Sequence, residues 1–135
     1  MPAYFLRQIQ TFEARVRLLG DRLGPIRVVV QQPRDDGWLA LFRGSADPGL
    51  RYVFDFRHES WADVDVPARV NELEGDAPFR YLRFRDPPYS DGDLGGMAET
   101  ITPLLERGVE IYAYFRHEDE PTAPQYAERL ISILA

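Results

Sequence analysis

The chain has 135 residues, the size of one ordinary globular domain, and its 16 basic and 22 acidic side chains give a net charge of −6. It contains neither cysteine nor lysine, which excludes a disulfide scaffold, a zinc finger, a thiolate nucleophile and a Schiff-base lysine. The acidic balance leaves nucleic acid possible as a partner but disfavours it, because phosphates repel a negatively charged protein. No apolar run could cross a bilayer and no signal peptide opens the chain, so we expect a cytoplasmic protein without a membrane partner.

The first half of the chain shows the pattern helix, strand, short helix, strand. Six apolar residues at helical spacing predict an amphipathic helix that Gly24-Pro25 ends, with Glu13 outside the apolar stripe. The stripe consists of Phe5, Ile9, Phe12, Val16, Leu19 and Leu23. A β-branched run predicts a strand over 26–31, and alternating aromatic residues predict another over 51–57. The remaining predicted elements are one or two helical turns over 38–42 and a short helix near 68–73 within a loop over 62–77.

The second half alternates strand and helix twice. Strands are predicted over 79–85 and 110–115, with Tyr81, Arg83 and Arg85 on one face of the first. The elements that follow them are an apolar helix from Leu94 to Leu105, a glycine stop at Gly108, and a last helix with Tyr126, Leu130 and Ile133 on one face. Pro103 predicts a kink or a restarted turn inside the first of these helices.

This order of elements predicts an α/β protein. Strands that are separated by helices pair in parallel through right-handed crossovers. Four such strands are half of an eight-stranded barrel, which typically needs about 250 residues. We therefore expect residues 1–135 to form a single domain, a partial TIM-like (βα) barrel of about four strands.

Polar residues follow every predicted strand, and three of the four strands end in arginine. Ligands of parallel α/β folds meet the carboxyl ends of the strands, and the arginine fork suits phosphate or carboxylate. The candidate ligand-binding residues are Gln31, Arg57, Trp61, Tyr81, Arg83, Arg85, Arg116 and His117. The alternative is that these arginines pair internally, with Asp55, Asp86 and Glu118. Both an anion site, enzymatic or not, and a non-catalytic structural or interaction module stay open.

His58 and His117 are the only histidines, and both lie just beyond predicted strand ends. His58 is the candidate catalytic acid or base, with Asp55 as a second catalytic candidate that would orient it together with Gln31. The alternative for each histidine is a hydrogen bond to a neighbouring loop. No pair of possible ligands has the spacing of a metal site, so no metal and no cofactor is assigned.

The aromatic residues near the strand ends divide by position. Trp61 and Tyr89 lie in loops, where an aromatic ring can stack on a sugar or a base. Tyr112 and Tyr114 lie within a strand, which favours filling of the core. The acidic run 118–120 is typical of a solvated helix entry.

The segment 57–61, Arg-His-Glu-Ser-Trp, resembles a motif of the YecE-like family, also called domain of unknown function 72. Leu23-Gly24-Pro25 and the segments 81–85 and 112–120 continue the resemblance over most of the chain. It implies a TIM-like barrel in which the four strands are the fourth, fifth, seventh and eighth, and the family has no established reaction. The chain departs from the family where Asp55 replaces glutamate, Arg85-Asp86 replace histidine-glycine, and Arg116-His117 replace asparagines.

The resemblance also implies that the first three βα units and the sixth are absent. A half-barrel leaves two open strand edges and an uncovered inner face. We therefore expect self-association, or pairing with the missing half, and a small anionic ligand that Arg57, Arg83 and Arg85 bind.

Overall fold

The computed structural model describes residues 2–117 and 119–135, with side chains from Phe5 onward. Four α-helices and four strands lie along these residues in the order α1 (Pro2–Val16), β1 (Ile26–Val30), α2 (Asp36–Ser45), β2 (Tyr52–Phe56), β3 (Phe79–Phe84), α3 (Asp91–Glu106), β4 (Glu110–Phe115) and α4 (Ala123–Leu134). Two 3-10 segments, Arg17–Arg22 and Glu59–Trp61, follow α1 and β2. Glu118, an expected partner of a strand-end arginine, lies outside the described residues. No described helix is long and apolar enough to span a membrane.

The strands form two sheets of two parallel strands, β1 with β2 and β3 with β4. The predicted α/β class with parallel strands is therefore confirmed, while no closed barrel forms among the residues described. The chain divides into two compact units, Met1–Val66 and Pro67–Ala135, called unit 1 and unit 2 below.

Unit 1 covers one face of its sheet with α1 and α2. Val30 and Phe54 are buried there with Leu39 and Phe42 of α2 and Ile9 of α1. The helix α2 begins where Asp35 accepts a hydrogen bond from the Trp38 backbone N–H at 3.0 Å, which satisfies one of the free donors of its first turn. The register pairs Ile26 with Tyr52 and ends at Val30 and Phe56, so both strands finish at the same edge.

The apolar stripe of the first helix is predicted wrongly. The α-helix ends at Val16, and Gly20 adopts a φ of +57° inside the 3-10 segment. Phe12 and Leu19 are 44% and 54% exposed, whereas Glu13 is only 4% exposed. The physical reason is that Glu13 accepts hydrogen bonds, each 2.8 Å long, from the Tyr52 hydroxyl and the Asp47 backbone N–H. These bonds satisfy a carboxylate that burial would otherwise penalise.

Unit 2 packs α3 and α4 on one face of its sheet. Leu82 is buried with Ala98 and Ile101 of α3 and Leu130 of α4. The helix α3 begins with a capping box, in which Ser90 and Asp93 each accept a hydrogen bond from the other's backbone N–H. It continues through Pro103 to Glu106.

Residues 68–73 do not form the predicted short helix. Asn71 adopts a φ of +63° and lies against the edge of β3 that β4 leaves open. Its side-chain oxygen accepts from the Arg83 backbone N–H at 2.8 Å, and its amide donates to the Arg83 carbonyl at 3.3 Å. The Asn71 backbone N–H donates to the Tyr81 carbonyl at 2.9 Å. One asparagine therefore supplies hydrogen bonds that a neighbouring strand would otherwise make.

Candidate functional site

The carboxyl ends of β3 and β4 border a solvent-open cavity of about 700 Å³. Phe84 and Phe115 pair as the last residues of the two strands, and the Arg116 backbone N–H donates to the Phe84 carbonyl at 2.9 Å. This register brings Arg85 and Arg116, which follow the strands directly, to the same edge of the sheet. The lining residues are Arg85, Asp86, Pro87, Arg116, His117, Asp119 and Glu120. We call this space the strand-end cavity.

An aromatic cluster beneath the strand-end cavity holds the loop after β3. The Tyr89 hydroxyl accepts a hydrogen bond from the Asp86 backbone N–H at 2.8 Å, and the Tyr89 N–H donates to the Tyr126 hydroxyl at 3.3 Å. The cluster consists of Phe84, Tyr89, Phe115 and Tyr126, with the centroids of contacting rings 5.0–6.4 Å apart. Burial raises the pKa of Tyr89, which favours the neutral phenol. Tyr89, expected from its loop position to stack on a ligand, packs into this cluster and positions Asp86.

The charges of the strand-end cavity are mixed. Two guanidinium groups, of Arg85 and Arg116, share it with the three carboxylates of Asp86, Asp119 and Glu120. Arg116 is exposed and forms no ion pair among the residues described. A bare inorganic anion would meet the carboxylates as well as the arginines. The arrangement suits a ligand that carries an anionic group beside hydroxyl or amino donors.

A metal ion has no evident place in the described part of the chain. Three or more histidine, aspartate or glutamate side chains do not converge anywhere among these residues.

Tyr81 and Arg83 lie apart from the strand-end cavity. They belong to the face of β3 opposite Leu82 and Phe84, which pack under the helices. Tyr81 stacks on Tyr114 with ring centroids 4.8 Å apart, and Tyr114 remains 42% exposed. The prediction that Tyr114 fills the core is therefore wrong, because its side of β4 is the one that the helices leave uncovered. Arg83 borders a separate cavity of about 330 Å³ between β3 and α3.

At the strand ends of unit 1 the carboxylate of Asp55 lies between two arginines. Asp55 is only 5% exposed, its Oδ1 lies 3.1 Å from Arg57 Nε, and its Oδ2 lies 3.5 Å from Arg27 Nη1. Two guanidinium groups therefore balance the charge of this carboxylate. This is the internal pairing that the sequence left open as the alternative to an anion site.

His58 is exposed, and its ring is oriented by Ser60. Nδ1 accepts a hydrogen bond from the Ser60 backbone N–H at 3.1 Å and lies 2.8 Å from Ser60 Oγ. Ser60 Oγ itself accepts from the Arg34 backbone N–H at 2.7 Å, which leaves its hydroxyl hydrogen for Nδ1. This pattern assigns the proton of the neutral ring to Nε2. In this tautomer the outward Nε2–H can donate a hydrogen bond to a ligand.

Trp61 is almost fully buried in unit 1, at 1% exposure. Its ring stacks on Phe56 with centroids 4.5 Å apart, and its Nε1–H donates to the Gln32 carbonyl at 2.8 Å. Together with the bond from Arg34 to Ser60, this contact joins the loop after β1 to the loop after β2. In the segment 57–61, Ser60 and Trp61 therefore have structural roles. Gln31 lies exposed just after β1.

The structure thus brings three predicted site residues into the strand-end cavity, namely Arg85, Arg116 and His117. It places the others elsewhere: Gln31, Asp55, Arg57, His58 and Trp61 at the strand ends of unit 1, and Tyr81 and Arg83 along β3. Asp119 and Glu120, part of the acidic run that the sequence favours as a solvated helix entry, are exposed and also line the cavity. The signal that could have included them is their position in the loop between β4 and α4.

Comparison with known proteins found no match to this chain among protein-family models, curated proteins or solved structures.

Proposed function

We propose that the protein binds a small polar ligand with an anionic group in the strand-end cavity of unit 2. The observation that carries the proposal is that Arg85 and Arg116 follow two neighbouring parallel strands and line one cavity. A volume of about 700 Å³ lies within the usual range of small-molecule sites. Its location agrees with the general rule for ligands of parallel α/β folds.

The cavity carries both guanidinium and carboxylate groups, so a fitting ligand needs an anionic group and hydrogen-bond donors. Arg85 and Arg116 would hold a phosphate or carboxylate through charge-assisted hydrogen bonds, with His117 beside them. Asp119 and Glu120 would accept hydrogen bonds from hydroxyl or amino groups on the same molecule. A sugar phosphate, alone or as part of a nucleotide, has both features.

Calorimetry with ribose 5-phosphate tests this proposal, with ribose and inorganic phosphate as the matched parts of the ligand. We expect ribose 5-phosphate to bind more tightly than either part. Replacing Arg116→Gln should weaken this binding roughly tenfold, the scale of one charge-assisted hydrogen bond. The control is Arg107→Gln, an exposed arginine after α3 that does not line the cavity. Absence of binding, or equal affinity of the Arg116 variant and the wild type, would overturn the proposal.

For the strand ends of unit 1 we infer the alternative, a non-catalytic role with internally paired charges. The specific observation is that Asp55 lies between Arg27 and Arg57. An anion that approached Arg57 would compete with this carboxylate.

We further propose that the chain is a YecE-like half-barrel that associates through its strand edges. The residues 57–61 and the order of parallel strands and helices support the resemblance. Each sheet has two strands, so strand edges remain without a strand partner in the described residues. Sedimentation at increasing concentration tests the association: a dimer or larger assembly is expected, and a monomer throughout would contradict it.

A further inference from the structure

A second cavity lies in unit 1, at the carboxyl end of β1. Its volume is about 400 Å³. Val29, Val30 and Pro33 give it apolar walls, and both tryptophans of the chain, Trp38 and Trp61, line it as well. We call it the tryptophan cavity. An apolar cavity of this size with few polar groups is the usual form of a small-molecule site.

The two indole rings of the tryptophan cavity are held in fixed positions. Trp61 stacks on Phe56 and donates its Nε1–H to the Gln32 carbonyl. Trp38 stacks on Phe42 with centroids 5.6 Å apart. The two indoles meet at an interplanar angle of 73°, with centroids 6.4 Å apart, and form a corner. Because neighbouring rings hold both, a ligand would meet a preformed wall and little ordering would be required of the protein.

Asp35 is the one charged residue among those that line the tryptophan cavity. Its Oδ1 accepts from the Trp38 backbone N–H, but Asp35 forms no ion pair within the residues described. The adjacent Asp36 is different, since its carboxylate lies 2.8 Å from Arg34 Nε. The cavity therefore joins an unneutralised carboxylate to the partly exposed indole of Trp38, while Trp61 behind it is almost fully buried.

From this geometry we propose that the tryptophan cavity binds an organic cation, a positively charged nitrogen group on a flat apolar body. The indole of Trp38, which is partly exposed, would attract such a cation, and the negative charge of the Asp35 carboxylate would attract it as well. The apolar walls of Val29, Val30 and Pro33 would contact the body of the ligand. This site lies in unit 1 and does not depend on the anion site proposed for unit 2.

Intrinsic fluorescence tests the proposal directly, because the only two tryptophans of the chain both line the cavity. The probes are benzamidine, its neutral analogue benzamide and its anionic analogue benzoate, all of similar shape. We expect a saturable change of fluorescence with benzamidine and binding about tenfold weaker for benzamide, the combined scale of a cation–π contact and an exposed ion pair. Benzoate should bind more weakly still.

The variant Asp35→Asn removes the charge and keeps the helix cap, because asparagine caps a helix as well as aspartate does. We expect it to lose the preference for benzamidine over benzamide, with an unchanged far-ultraviolet circular dichroism spectrum. The control Asp36→Asn removes the same charge one residue further on, where Arg34 already balances it, and should keep the preference. Equal binding of the three probes, no saturable change with benzamidine, or an unaltered preference in the Asp35 variant would overturn the proposal.

Discussion

The hydroxyl of Tyr52 donates a hydrogen bond of 2.8 Å to the carboxylate of Glu13, which is only 4% exposed. The same carboxylate oxygen accepts from the Asp47 backbone N–H, and Asp47 in turn forms an ion pair with Arg17. This contact joins α1 to the start of β2 and accounts for the one buried acid of the first helix.

Removal of the Tyr52 hydroxyl should destabilise the protein. The change Tyr52→Phe leaves Glu13 with one hydrogen bond fewer in a buried site, and we expect the free energy of unfolding to fall by about 2 kcal/mol. Urea denaturation followed by circular dichroism measures it. Tyr81→Phe is the matched control, because the Tyr81 hydroxyl has no hydrogen-bond partner in the described residues. Equal losses in the two variants would show that the bond to Glu13 contributes nothing.

The raised pKa of Tyr52 predicts that the folded protein loses stability at alkaline pH. Burial, and then the hydrogen bond to Glu13, raise the pKa of Tyr52 well above its ordinary value of 10.0. The neutral phenol is therefore favoured in the folded state, so its contribution is complete below pH 10 and is lost as the unfolded chain ionises above that pH. We expect the free energy of unfolding to fall less steeply above pH 10 in Tyr52→Phe than in the wild type. The absence of lysine removes the other side chains that titrate there, apart from the remaining tyrosines.

Identical alkaline slopes for the wild type and Tyr52→Phe would rule out this role of Tyr52. Burial also raises the pKa of Tyr89 and Tyr114, so a residual slope is expected in every variant.

The strands were predictable from the sequence, and the buried acid was not. The four predicted strands agree with β1–β4 to within one residue at each end, because β-branched and aromatic runs between turn residues depend on local sequence. Glu13 is buried by partners 34 and 39 positions away, and no local pattern shows them. The helical spacing of apolar residues therefore predicts that Phe12 is in the core and that Glu13 is outside it, and both predictions are wrong.

A similar limit applies to the candidate site. Parallel topology alone predicts that residues after neighbouring strands meet, which is how Arg85, Arg116 and His117 come to line one cavity. It does not predict which charges are already paired. The ion pairs of Asp55 depend on side-chain positions along β1 and β2, and the strand-end rule contains no information about them.

The ion pairs of Asp55 should contribute measurably to stability. Asp55→Ala leaves the guanidinium groups of Arg27 and Arg57 without this carboxylate. We expect a loss of about 2 kcal/mol, between the values for exposed and fully buried pairs, because the arginines are partly exposed. Asp36→Ala breaks the exposed pair with Arg34 and should cost less than about 1 kcal/mol. If Asp55→Ala lowers the free energy of unfolding no more than Asp36→Ala does, the ion pairs of Asp55 do not stabilise the strand ends of unit 1.

Asn71 should stabilise unit 2 in two ways, through the hydrogen bonds of its side chain and through its tolerance of a left-handed backbone, and two variants measure these contributions separately. Asn71→Gly removes the amide that bonds to the Arg83 backbone but tolerates the φ of +63°, so its cost of about 1–2 kcal/mol measures the two lost hydrogen bonds. Asn71→Ala removes the amide and also places an alanine in the left-handed region, which adds roughly 1 kcal/mol. Denaturant midpoints of the two variants give both quantities. The order wild type, glycine, alanine is therefore expected, and an alanine variant more stable than the glycine variant would show that the left-handed backbone is not maintained.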